Sequence, residues 1–112
     1  MHELSLCRSI TAIVARHAEG RQVTVVHVDV GALRQVVPDS LTFCWGLVNA
    51  GTPCEGSEMD VCVVPARLTC LDCGAETVLH EPVIRCGTCA SAAVTIASGE
   101  ELLVTSIELQ DA

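Results

Sequence analysis

The chain moves between two hydrophobic periods, and their order sketches the fold. Over residues 4–18, Leu6, Ile10, Ile13, Val14 and His17 recur at three- and four-residue spacing. Arg8, Arg16 and Glu19 fall elsewhere, so an amphipathic helix is predicted, stopped by Gly20. Residues 21–30 switch to a two-residue period. Thr24, Val26, Val28 and Val30 form the more apolar set and should face the helices, whereas Val23, Val25, His27 and Asp29 form the wetter set. Gly31 ends this strand. Residues 38–50 predict a second helix, with Pro38 at the first helical position, Asp39 at the positive end and Gly51 as the stop. Its apolar face carries Leu41, Cys44, Trp45 and Val48. Residues 58–64 alternate again and Pro65 closes them. Short strands are expected at 77–80 and 93–97, a turn at 98–100, and a long strand at 102–109. The predicted class is α+β: two helices on a three-stranded sheet, with a small subdomain inserted before the last long strand. The expected domain limits are 1–66 with 99–112, and 67–98 for the insert.

The insert carries the strongest chemistry. Cys70-Leu71-Asp72-Cys73 and Cys86-Gly87-Thr88-Cys89 are two Cys-x-x-Cys pairs separated by twelve residues. Each turn aims two sulfurs at one centre, and two facing turns supply the four thiolates of a closed tetrahedral zinc site. Gly74 suits the left-handed backbone just past a knuckle. Disulfides need an oxidising compartment that nothing in the chain suggests. A thioredoxin-like centre uses one pair beside a βαβ unit. A rubredoxin-type iron site uses the same four sulfurs and stays open. The residues favour structural Zn(II) on Cys70, Cys73, Cys86 and Cys89, in a zinc-ribbon-like subdomain. Four sulfurs complete the set without His80.

Composition narrows the function. The chain has 112 residues, half of them apolar, and Phe43 and Trp45 are its only aromatics, so Val, Leu, Ile, Ala and Cys must build the core. Its formal net charge is −8, and a four-thiolate zinc site adds about −2 more. Such a chain repels phosphate backbones, which disfavours nucleic-acid binding, and attracts cations and basic surfaces. The opening residues lack the basic and apolar regions of a signal peptide, and no apolar run is long enough to span a membrane. A cytoplasmic setting with reduced thiols is expected. Cys7 and Cys44 read as small buried apolar residues, and His17 as a helix-end residue. His27 and Asp29 read as a solvated strand face, with a modest metal site as the other reading. Cys54 and Cys62 receive no role. Without a nucleophile–base signature, a glycine-rich phosphate loop or a His-Glu-x-x-His helix, no enzyme is expected.

The extreme N-terminus packs nitrogen donors closely. The Met1 amine, the backbone nitrogen and imidazole of His2 and the amide of Glu3 can surround one ion in a plane, a geometry favoured by Ni(II) or Cu(II). Alone, a histidine at position 2 is a weak signal.

Met1-His2-Glu3-Leu4-Ser5-Leu6, Gly31-Ala32-Leu33, the paired Cys-x-x-Cys and Ile96-Ala97-Ser98-Gly99-Glu100-Glu101-Leu102 together resemble the HypA/HybF family of nickel-insertion proteins for [NiFe]-hydrogenase maturation. The resemblance spans nearly the whole chain. It implies transient Ni(II) held by His2 and Glu3, with the Met1 amine available, and structural zinc on the four cysteines. A further carboxylate ligand before the second helix falls, by alignment, on Val37 or on Asp39. Trp45-Gly46 stands where relatives often have Phe-Glu, and Ala90 where a glycine often follows the last cysteine. The implied partners are a HypB-type GTPase and the [NiFe]-hydrogenase large-subunit precursor, with urease served by some relatives. The protein would act as a monomer or homodimer. No His-rich storage tract is present. The rival readings are a zinc-ribbon adaptor that transports no metal, and a small iron–sulfur electron carrier.

Overall fold

The computed structural model describes residues 3–81 and 83–111. Its order is α1 (Glu3–Ala18), β1 (Val23–Gly31), a single 3₁₀ turn (Ala32–Arg34), α2 (Pro38–Val48), β2 (Glu58–Val64), β3 (Ala66–Cys70), β4 (Glu76–Leu79), β5 (Val94–Ser98) and β6 (Leu102–Leu109). The chain forms two compact units: residues 1–29, 36–62 and 102–112, and residues 30–35 with 63–101. The second unit thus takes in 30–35, 63–66 and 99–101 as well as the 67–98 expected from sequence. No described helix is long and apolar enough to cross a membrane.

In the helical unit, β1 lies between β2 and β6. Along β1, Val26 and Val28 of this unit and Val30 of the second are buried, as the two-residue period requires. The period breaks at the start of the strand, where Val23 is buried and Thr24 exposed. There the Val23 amide donates to the Pro53 carbonyl, so the 51–57 loop closes over that end. Helix α1 buries Leu6, Cys7, Ile10, Val14 and Ala18. Helix α2 buries Leu41 and Trp45, while Cys44 and Val48 are only half-buried. Cys54 is fully buried in the loop after α2, and burial pushes its thiol above the ordinary range.

A polar knot joins the two helices to that loop. Asn49 is 1% exposed, donates to the Trp45 carbonyl at 2.8 Å, and accepts from Thr11 Oγ1 at 2.7 Å and Thr52 Oγ1 at 3.1 Å. The Trp45 indole donates to Ser57 Oγ, which donates in turn to the Cys54 carbonyl. Removing a buried hub strands its partners. Asn49→Ala is expected to cost about 2 kcal/mol, read as a lower denaturation midpoint at unchanged m-value.

The second unit is a three-stranded antiparallel sheet with β3 between β4 and β5. The sequence reading places no strand at β3. Ala66, Leu68 and Cys70 are nevertheless buried, in strict alternation with Arg67 and Thr69. Pro65 separates two strands here and does not end strand structure, since β3 restarts one residue later. Leu68 pairs with Thr77 of β4 and Ile96 of β5. Gly31 and Gly99 meet backbone to backbone beside this sheet. A Cβ on Gly31 would lie 2.0 Å from the Gly99 oxygen, and one on Gly99 would lie 2.7 Å from Ala66 Cα. The Gly31 amide donates to the Glu101 carbonyl and the Leu33 amide to the Gly99 carbonyl.

Candidate metal centre

Two loops with little in common beyond their cysteines fold identically. In the first, β3 delivers Cys70 at its final position. The Gly74 amide donates to the Cys70 carbonyl at 3.0 Å, and the Cys70 amide to the Ala75 carbonyl at 2.9 Å. In the second, the Ala90 amide donates to the Cys86 carbonyl and the Cys86 amide to the Ser91 carbonyl, both at 3.0 Å. Both turns need a left-handed residue at the same place: Gly74 has φ 75° and Ala90 has φ 61°. Glycine adopts this freely, whereas an alanine Cβ costs about 1 kcal/mol. Ala90→Gly should therefore stabilise the metal-loaded protein by about 1 kcal/mol in a denaturant titration. Two bonds brace the second loop, one to β4 from the Gly87 amide to Thr77 Oγ1 at 2.9 Å and one to the first loop from Ser91 Oγ to Asp72 Oδ2.

The sulfurs converge. Cys70 and Cys89 lie 3.6 Å apart, as do Cys73 and Cys86, and all four Sγ atoms fall within 4.8 Å of one another. Zinc–sulfur bonds of about 2.3 Å put tetrahedral corners about 3.8 Å apart. A disulfide needs about 2.05 Å. The spacing is that of four ligands around one ion.

Backbone amides prepare the sulfurs for that charge. Cys86 Sγ accepts from the amides of Cys89 and Thr88, which hold its thiol down to about 6. The Cys73 amide, first among its partners, lowers Cys70. Cys89 goes the other way. The Ser91 amide pulls it down, but Cys70, desolvation, Cys73 and Cys86 outweigh that and push it to about 12. The protein alone thus favours a mixture of thiolates and thiols. A divalent cation among them supplies the charge that keeps all four ionised. An all-sulfur tetrahedron fits zinc or iron and disfavours magnesium or calcium. Cys70 and Cys86 are buried, whereas Cys73 and Cys89 lie on the open side.

The other expected ligands lie apart in sequence. Met1 and His2 are outside the described residues. Glu3 is the first residue of α1, and Asp39 lies in the first turn of α2, so both carboxylates sit where helix dipoles favour negative charge. Cys7 Sγ donates to the Leu41 carbonyl at 3.4 Å where α1 packs on α2. Burial first, then Cys44 and Glu3, raise this thiol to about 11, so Cys7 reads as packing near the head of α1. Val37 is the N-cap of α2 and has no side-chain donor atom, whereas Asp39 has an exposed carboxylate. His27 and Asp29 do not pair. His27 instead contacts Asp60 and Glu108 on the neighbouring strands. Sequence reasoning missed the supports of the four-cysteine centre, Thr77, Asp72 and Ser91, whose only signal was hydroxyl and carboxylate chemistry next to the knuckles.

Residues 1–109 match a family model described as HypA, hydrogenase/urease nickel incorporation metallochaperone. A hydrogenase maturation factor HypA from Nostoc sp. is 35% identical over 111 residues, covering 99% of this chain and 97% of the relative. A factor of the same name from Desulfosudis oleivorans is 37% identical over 115 residues, covering 99% and 100%. The solution structure of the nickel metallochaperone HypA from Helicobacter pylori superposes with a TM-score of 0.70 at 23% identity, covering 97% of both chains, and shares the fold. The chain belongs to the HypA family of hydrogenase/urease nickel-incorporation metallochaperones.

Proposed function

We propose that the protein carries Ni(II) toward a [NiFe]-hydrogenase large-subunit precursor, holding a resident zinc on Cys70, Cys73, Cys86 and Cys89. The observation that carries this reading is the sulfur cluster. It offers a permanent home to a soft-ligand ion and leaves the N-terminus for a second, exchangeable one. Nickel is the cargo. His2 and Glu3 hold it, with the Met1 amine and the Asp39 carboxylate completing the set. A site at a chain end releases its ion by stepwise ligand exchange, each departing donor replaced by one from the acceptor. When bound, zinc supplies a fixed crosslink between the two knuckles. Thr77, Asp72 and Ser91 hold those knuckles in place. The role is that of a maturation factor without a catalytic step of its own. It works in the cytoplasm with a HypB-type GTPase, as a monomer or homodimer, and away from nucleic acid and membrane. The family description also covers urease as an acceptor.

The test is nickel titration calorimetry on zinc-loaded protein. Wild type should bind nickel, and His2→Ala should weaken it by at least about tenfold while the zinc content stays unchanged. Extra residues before Met1 should weaken it too, by abolishing the free amine. Equal nickel uptake by wild type and His2→Ala would overturn the reading and leave a zinc-ribbon adaptor. A coloured protein with thiolate-to-iron absorption would replace zinc by iron.

A further inference from the structure

We propose that His27 is a protonation-dependent tie that fastens both outer strands of the helical unit's sheet to its centre, and that losing one proton releases β2. His27 sits on the central strand β1, one third exposed. Its Nδ1 lies 2.9 Å from Asp60 Oδ2 on β2, and its Nε2 lies 2.8 Å from Glu108 Oε2 on β6. A neutral imidazole has one N–H and can serve one carboxylate, while its other nitrogen aims a lone pair at the second. Only the imidazolium donates to both. The observed double contact is therefore the geometry of the charged ring.

The surroundings reinforce this. On β2, Glu58 and Cys62 alternate onto the same side as Asp60. On β1, Asp29 lies two residues along on the same side, and on β6 every residue of Leu102–Leu109 other than Glu108 is uncharged. The opposite face, with Val26, Val28 and Val30, is buried. Among the described residues of these three strands, every charged group on the side of the ring is thus an acid. The hydrogen bond donated to Glu108, then that donated to Asp60, raises the imidazole above its ordinary value.

The side-chain ties that do not involve the ring differ between the two outer strands. Thr24 Oγ1 donates to the Glu108 carbonyl at 3.0 Å and Thr105 Oγ1 to the His27 carbonyl at 3.2 Å, so β6 stays linked to β1 when the ring is neutral. Toward β2, among the described residues, the side-chain tie is His27 to Asp60. A group whose folded pKa is raised contributes its stabilisation fully below the unfolded value, about 6.5 for histidine, and loses it as pH rises through the folded one. The window therefore opens upward from near neutrality.

The test uses the zinc-loaded full chain. The His27 ring is titrated by NMR from pH 5 to 9, alongside hydrogen exchange of residues 58–64 and 102–109 corrected for intrinsic rates. Wild-type His27 should titrate above the ordinary histidine value, with protection of 58–64 falling through the same pH and that of 102–109 holding. Asp60 and Glu108 are 68% and 60% exposed, so Asp60→Asn and Glu108→Gln should fold. Each should lower the His27 pKa, and Asp60→Asn should abolish the pH dependence at 58–64. A wild-type His27 that titrates at the ordinary value, or flat protection of 58–64 across its titration, would overturn the proposal.

Discussion

Stripping the metal from the four-cysteine centre should unfold the unit that carries it and spare the helical unit. The cysteine-bearing unit buries little apolar surface of its own. Among the described residues its buried apolar side chains are Val30, Ala66, Leu68 and the ligands Cys70 and Cys86, and only Leu68 among them is large. Chains this short rarely close a core without a metal or disulfide. Structural zinc contributes about 10–16 kcal/mol of apparent binding free energy in comparable small domains. The helical unit has Ile10, Val14, Val26, Val28, Leu41 and Trp45 fully buried and needs no such help. A strong chelator under reducing conditions should therefore collapse the amide signals of β3, β4 and β5 and leave those of α1 and α2. Cys86→Ser should do the same with zinc present, because it removes the sulfur whose thiolate two backbone amides support. Dispersed β3–β5 signals in metal-free protein would contradict this.

The second large effect lies outside the ligands. Gly31→Ala should destabilise the protein by about 3 kcal/mol or more, because the new carbon would sit 2.0 Å from a carbonyl oxygen and 2.5 Å from the Glu100 nitrogen. Both obstacles are backbone, so no side-chain rotation relieves the clash. Gly99→Ala should be as damaging, since its φ of +116° already disfavours a side chain and Ala66 Cα stands 2.7 Å away. Gly46→Ala is the control. It sits within α2 with nothing within 4 Å of the new carbon, and should stabilise by about 0.5–1 kcal/mol. Denaturation midpoints for the three variants measure these effects. If Gly31→Ala behaved like Gly46→Ala, the close approach of the two glycine backbones would be wrong.

These two glycines also show what the chain makes legible. Helices α1 and α2 and strands β1, β2 and β6 follow from hydrophobic period and from Pro and Gly punctuation, although β2 buries only Met59 and β6 has half-buried positions at most. The Cys-x-x-Cys pairs were equally plain, since two sulfurs per turn admit few uses. What escaped depends on contacts far apart in sequence. Strand β3 carries a clean alternation, but it begins directly after Pro65 and ends on a ligand, so in sequence it is indistinguishable from the metal loop. Asn49 carries no signal in the sequence, yet it is buried at the end of α2 and bonded by Thr11 and Thr52. Phe43 and Trp45 are two residues apart on α2, and only Trp45 is buried. Phe43 projects from the opposite side of the helix at 69% exposure.

X-ray absorption at the zinc and nickel edges of one doubly loaded sample tests the division of labour most directly. The account predicts four sulfurs at about 2.3 Å around zinc, and nitrogen and oxygen donors without sulfur around nickel. Sulfur in the nickel shell, or zinc lacking its four sulfurs, would contradict it.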